Sequence, residues 1–209
     1  MIFFFSFLGF LVCNYISNRH LVFYKTCWIT LYLRFSLVYY SSILGEAYNH
    51  LWDYEVVELF FLSSTTGLYL EVEFGPHGQH LGLLLNKRKE CLSHSFPLEY
   101  QAELLQGIHN NTLKLQLFIT LSFFSLLENG LWKGTVKIPL EYFPPNVDTF
   151  NAYSIHGTEP SRIYKSLFAV PGPHPDFHRL NCFKPFDLIR QNEMSDFWKS
   201  HLEEKNKSS

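Results

Sequence analysis

The residues with the most chemistry to offer sit in two neighbouring stretches. Residues 52–62 read Trp-Asp-Tyr-Glu-Val-Val-Glu-Leu-Phe-Phe-Leu, and residues 68–80 read Leu-Tyr-Leu-Glu-Val-Glu-Phe-Gly-Pro-His-Gly-Gln-His. If both are extended, side chains alternate between two faces, and Glu58 shares its face with Val56, Phe60 and Leu62. A carboxylate in such company must find a donor, accept a raised pKa or face a ligand. Glu71 and Glu73 share one face of the second stretch, and His77 and His80 follow it. His156 ends a later extended segment, while Asp176 and His178 are spaced to project together from another. Brought to one end of a fold, these groups would form a hard or borderline metal site with His77, His80, His156 and His178 as nitrogen ligands. A metal-dependent, hydrolase-like protein is the function such a site implies. The competing reading of a His-x-x-His turn is two polar side chains satisfied by their neighbours. Glu58 and Glu71 also have the residue types of a carboxylate pair for glycoside hydrolysis. No nucleophile elbow, phosphate loop or His-Glu-x-x-His helix supports catalysis, so a binding protein is expected in preference to an enzyme.

Short strands are the elements able to position these groups. Leu68, Leu70, Val72 and Phe74 alternate with Tyr69, Glu71 and Glu73, which predicts a half-buried antiparallel strand. The linker 63–67 suits a longer hairpin turn, with Gly67 available for positive φ, and Gly75-Pro76 stops the second strand. Residues 81–85 extend the hairpin into a third apolar run, and 86–90 read as a solvated turn. Trp132, Gly134, Val136 and Ile138 alternate with Lys133, Thr135 and Lys137 up to Pro139, the clearest period-two strand in the chain. Tyr142 to Asn146, with two prolines, forms a rigid corner. Residues 150–156, 162–170 and 176–180 predict three more strands. Residues 193–204 place Met194, Phe197, Trp198, His201 and Leu202 near one side of a short helix packed outside the sheet, and 205–209 should fray. Between Gln101 and Glu128 the pattern departs: residues 113–127 are strongly apolar and read as a buried or sheet-covering helix inserted between strands.

Residues 52–60 and 69–73 resemble the central hairpin of family 9 carbohydrate-binding modules and the related DOMON-type β-sandwiches. A closer resemblance, carried by residues 52–80, 132–145, 150–157 and 175–183, is to the vertebrate family named for open reading frame 33 of human chromosome 4, which implies a fold and no particular activity. The first resemblance implies that Trp52 stacks on a sugar ring and that Glu58 accepts hydrogen bonds from its hydroxyls, since the C–H face of a pyranose suits an indole while its rim needs polar partners. Two departures stand out. Glu71 occupies the place of a basic residue in those modules, and the opposite wall of the sugar clamp has only Phe177 or Phe168 to offer. The competing reading packs Trp52 at the sandwich mouth and ties Glu58 to a buried donor. Haem of the DOMON type has little to draw on, since Met194 in the tail helix is the single methionine after Met1. No cofactor is specified by any of these patterns.

With 209 residues, 47% hydrophobic, the chain can bury one sizeable core. A formal charge of −2 with no basic run or basic helix argues against a nucleic-acid partner. Cys13, Cys27, Cys91 and Cys182 show no paired spacing, so a cysteine zinc site is not expected; Cys91 and Cys182 read as free thiols in a reducing, cytoplasmic compartment. Residues 1–45 contain neither acids nor proline and are dense in Phe, Tyr, Leu, Ile and Ser. Residues 2–12 are long enough for a signal-peptide core but lack a preceding basic residue and a good cleavage site, and 21–44 are interrupted by Lys25 and Arg34. Three readings compete: a signal anchor that would make the protein secreted or membrane-bound, an apolar segment on the sandwich, or an altered start replacing the family's opening. The third is expected, with residues 31–38 standing in for lost strands. The asparagine sequon at 110–112 matters only for a secreted chain. The resulting expectation is a mainly β protein: an antiparallel β-sandwich like family 9 modules over residues 46–190, an apolar N-terminal segment 1–45, a helical insertion 101–128, and a C-terminal helix and tail 191–209. Its expected function is non-catalytic binding of a saccharide or other small polar ligand at the sandwich rim through Trp52, Glu58, Glu71 and Phe177. A structural interaction domain remains a further alternative.

Overall fold

The computed structural model describes residues 29–30, 46–86, 90–105, 118–127, 130–157, 160–172, 174–187, 189 and 192–208. The expectations for residues 1–28 and 31–45, the basic turn at 87–89 and the sequon at 110–112 lie outside them.

The chain folds as a two-sheet β-sandwich, as expected. The larger sheet contains β2 (Val56–Leu62), β3 (Leu68–Phe74), β4 (His80–Asn86), β5 (Glu90–His94), β9 (Thr149–His156), β10 (Ile163–Ser166) and β11 (Lys184–Pro185). Its order is β10-β9-β2-β3-β4-β5, with β11 also pairing with β9. The smaller sheet has the order β1-β7-β8-β6, from β1 (Ile29–Thr30), β7 (Phe118–Leu127), β8 (Gly130–Pro139) and β6 (Glu99–Leu105). Among the described strands, all pairings are antiparallel except β1 with β7.

The central hairpin forms as its residues dictate. Branched and aromatic side chains suit the pleat of β2 and β3. The turn between them closes with the Gly67 N–H donating to the Ser63 carbonyl at 2.8 Å, and Gly67 takes the left-handed φ of 73° that only glycine adopts without strain. Val57, Leu59 and Phe61 of β2, with Leu68, Leu70, Val72 and Phe74 of β3, pack with Val136 and Ile138 of β8 to form the layer between the sheets. Gly82 in β4 lets the Phe96 ring press onto the sheet, since a Cβ there would lie 2.3 Å from the ring. Helix α1 (Asp196–Ser208) closes this layer: Trp198 is fully buried, and its indole N–H donates to the Tyr142 carbonyl at 2.9 Å. Ser195 caps the helix by accepting from the Trp198 backbone N–H at 3.3 Å.

Five sequence expectations need correction. Residues 118–127, expected in a helix, form strand β7, because ten consecutive residues pair with β8 and that ladder takes up the backbone groups on one side of the strand. Residues 176–180, expected as a strand, form turns leading into a short 3-10 helix at Leu180–Cys182, and the strand expected at 162–170 is only Ile163–Ser166. The helix continues to Ser208 instead of fraying at 205, with Lys205 and Lys207 in its last turn, where they complement the helix dipole. Strand β3 is buried on both faces, not half-buried. The chain after β10 lies across the face that alternation alone would leave to solvent.

Candidate functional site

That covered outer face of the larger sheet holds the site. Alternation sends Glu58 of β2 and Glu71 and Glu73 of β3 away from the smaller sheet, among Phe60, Leu62, Tyr69, Leu81, Leu83 and Leu85. Glu58 lies directly opposite Glu73 in the antiparallel register, and Glu71 opposite Phe60. All three carboxyls are buried, at 2%, 4% and 0% exposure. They can each present an oxygen such that the three lie within 4.8 Å of one another.

The cover is built by the segment between β10 and β11 and anchored by Asn151 of β9. The Asn151 amide donates to the Tyr153 hydroxyl at 2.9 Å and to the Phe168 carbonyl at 3.1 Å, and its oxygen accepts from the Phe168 N–H at 3.0 Å. The Leu167 N–H donates to the Ala152 carbonyl at 2.8 Å. Phe177 then stacks on Tyr153 with ring centroids 4.1 Å apart, and the His178 ring bonds the Tyr69 hydroxyl through Nδ1 at 2.9 Å. On the other side Arg162 donates to the backbone carbonyls of Trp52 and Tyr54, tying the 3-10 turn Leu51–Asp53 to the strand end.

Between cover and sheet lies a cavity of about 550 Å3. Its aromatic lining is Trp52, Tyr164 and Phe177; its acids are Asp53, Glu58, Glu71 and Asp176; and Arg162, His178, Cys91, Leu83, Leu85, Ile155 and Pro175 complete it. Three of the four expected ligand-binding residues therefore stand with the fourth: Trp52, Glu58, Glu71 and Phe177 line one space. Its location differs from the expected sandwich rim. It opens on the outside of one sheet, because β2 and β3 turn their carboxyls away from the intersheet layer. Phe168, the other candidate for a second aromatic wall, packs edge-on to Phe150 on the intersheet side.

Burial governs the site's electrostatics. It pushes Glu58 up to about 8, with the nearby Arg162 guanidinium pulling the other way. Glu73 is raised well above the usual carboxylate range, first by burial, then by the charges of Glu58 and Glu71, the hydrogen bond it shares with the Glu71 carboxyl, and Asp53. Apart from that shared contact, neither oxygen of Glu73 has a hydrogen-bond partner. Two like charges directly across a ladder repel, so the cluster is held together by protons or by a cation.

The four histidines proposed as metal ligands are dispersed to different duties. His178 Nε2 stands 3.9 Å from Glu71 Oε2 over the cavity. His156 bonds the buried Glu55 through Nδ1 at 3.1 Å, and burial lowers it to about 4, with Lys165 acting in the same direction. His80 opens β4 beside the backbone of residues 46–48, and His77 lies half-buried in the turn before it; burial lowers both. Among the described residues, the side chains grouped with metal-ligand spacing are Glu58, Glu71 and Glu73, not these histidines. Arg162, Tyr164 and Asn151 escaped the sequence reading. The face of Asn151 follows from strand parity, but nothing local in the sequence shows that Arg162 reaches the backbone of residues 52 and 54.

No protein-family model matches the chain. It is 43% identical over 150 residues to the mouse (Mus musculus) UPF0462 protein C4orf33 homolog, covering 69% of this chain and 66% of the relative. With the zebrafish (Danio rerio) homolog it shares 39% identity over 160 residues, covering 74% and 68%, and with the human UPF0462 protein C4orf33 40% over 150 residues, covering 69% and 64%. The chain thus spans about two thirds of the length of these relatives. Among solved structures, a Bacteroides uniformis protein described as a "putative carbohydrate-binding protein" superposes with a TM-score of 0.49 at 15% identity, over 69% of this chain and 66% of that one. On the sequence identities and the length they cover, the chain belongs to the UPF0462 family typified by C4orf33.

Proposed function

We propose that the protein is a non-catalytic binding module whose cavity takes a saccharide, with Trp52 as the stacking platform, Phe177 as a second aromatic surface, and Glu58 and Glu71 as partners for hydroxyl groups. The observation that carries this reading is the composition of the cavity: aromatic side chains and carboxyls line the same space of about 550 Å3. Ligand pockets of roughly 300–1,000 Å3 hold molecules of mono- to disaccharide size. Indole and phenyl faces suit the C–H surface of a pyranose, and carboxyl groups pair with hydroxyls that a wholly apolar pocket would leave unsatisfied. The half-buried state of Trp52 keeps a platform that needs little rearrangement.

The free thiols of Cys91 and Cys182 fit a reducing compartment, which is the localisation we assign to this reading. Among the described residues no helix is long and apolar enough to cross a membrane. Calorimetric titration with a panel of neutral mono- and disaccharides, run on the wild type and on Trp52→Ala, tests the proposal. Binding that weakens at least tenfold in the variant supports it; absence of binding to the wild type at millimolar sugar removes it.

A further inference from the structure

Beneath the cavity, the three carboxyls of Glu58, Glu71 and Glu73 converge, and the decisive one is Glu73, the deepest of them. The Arg162 guanidinium donates to the carbonyls of Trp52 and Tyr54 and acts on Glu58 by its charge alone. The His178 ring bonds the Tyr69 hydroxyl through Nδ1, and its Nε2 stands 3.9 Å from Glu71 Oε2 at the cavity side of the cluster. Glu73 lies deepest, with no exposure, and both its oxygens lack any partner beyond the neighbouring Glu71 carboxyl. A fully buried carboxyl in this state, aimed at two others, has the arrangement of a ligand to a positive ion.

We propose that Glu58, Glu71 and Glu73 bind a hard divalent cation of the calcium class at the floor of the cavity. Their oxygens lie within 4.8 Å of one another. Ligands on opposite sides of a calcium ion, at bond lengths of about 2.3–2.6 Å, stand roughly 4.6–5.2 Å apart, so the three fit around one ion with small adjustments. An all-oxygen ligand set selects calcium, magnesium or manganese over zinc or copper. Glu58 and Glu71 also line the cavity, which gives the ion its route from solvent and leaves its outer positions to water. The site shares Glu58 and Glu71 with the saccharide reading, but the ion needs no sugar in order to bind, so the two are tested separately.

The test uses the full-length chain stripped with a chelator and titrated with calcium chloride alone, followed by calorimetry and thermal unfolding. One ion per chain and a raised unfolding temperature are expected. Glu73→Gln keeps the shape while removing a charge. It should weaken calcium binding by at least the about 10- to 100-fold that loss of a supporting ligand partner costs, and the metal-free variant should unfold no lower than the wild type. Glu58→Gln reads the same loss should Glu73→Gln fail to fold, and Glu99→Gln, in an exposed ion pair with Lys137, should leave binding unchanged. Folded wild type that binds no calcium, magnesium or manganese at millimolar concentration overturns the proposal, as does undiminished affinity in the Glu73 and Glu58 variants. Saccharide binding by the chelated chain, alongside failure to bind any of the three cations, would overturn the metal site and leave the sugar reading intact.

Discussion

On the face turned to the smaller sheet, β2 and β3 present Val57, Leu59, Phe61, Leu70, Val72 and Phe74; on the opposite face the same strands present Glu58, Glu71 and Glu73 among Phe60, Leu62 and Tyr69. Both faces are buried to the same degree. The first is a continuous apolar layer whose only task is to exclude water, and each methylene there adds stability. The second buries three acids that an apolar replacement of similar size would render more stable. A sheet that keeps ionisable groups under a cover gives up stability on that face, as sites under functional constraint do. The contrast separates an apolar face that holds the fold from a face whose buried acids work against it.

The largest blow falls on the first face. Trp198→Ala empties a fully buried site and leaves the Tyr142 carbonyl without its indole donor, so a loss of about 3–5 kcal/mol is expected in urea unfolding. A loss below about 1 kcal/mol would mean that the helix is not part of the core.

On the second face the sensitive point is the cover's anchor. Asn151→Ala removes the bonds to Phe168 and Tyr153 and should cost about 1–3 kcal/mol. Amide hydrogen exchange in residues 162–178 should accelerate in this variant while the intersheet strands keep their protection. Uniform acceleration across both faces would erase the distinction between them.

The effect smallest at any one pH step comes from the edge where Glu55 meets His156. Burial raises Glu55 to about 9, against the pull of the Gly157 backbone and Arg162, and lowers His156 to about 4, so the pair is held in its uncharged form. In an unfolded chain the same groups titrate near about 4.3 and 6.5. Between those two values the unfolded chain has released the Glu55 proton but still binds one at His156, so the two contributions oppose. Above about 6.5 the histidine is neutral in both states, while folded Glu55 still holds a proton that the unfolded chain lacks. Stability from this group therefore declines as pH rises toward about 9, by about 1.4 kcal/mol per pH unit for one proton. Glu55→Gln should remove that one-proton slope from unfolding midpoints measured across this window. A slope identical to the wild type would show that Glu55 is ionised in the folded protein.

Much of the scaffold was legible because strand alternation is a local property. The positions of Glu58 opposite the core face, Val136 and Ile138 facing inward, and the corner after Pro139 all follow from residues a few places apart. Residues 118–127 misled because a long apolar run satisfies helix and buried strand alike, and only the ten-residue ladder with β8 settles it. The site divides the same way. Trp52, Glu58 and Glu71 were visible from their own neighbourhoods, whereas the histidines looked related only through their residue type.

Sequence alone determined which residues of each strand share a face, where turns must fall, and that carboxyls would lie among apolar neighbours, since these depend on backbone period and on the conformations of glycine and proline. The tertiary structure decided that β3 is covered on both sides, that Phe177 and His178 reach Tyr153 and Tyr69, that Glu58 stands across from Glu73, and that Arg162 closes onto the turn carrying Trp52. Those contacts join residues up to 110 positions apart. Strand register and the path of a long loop fix them, and no local pattern carries that information.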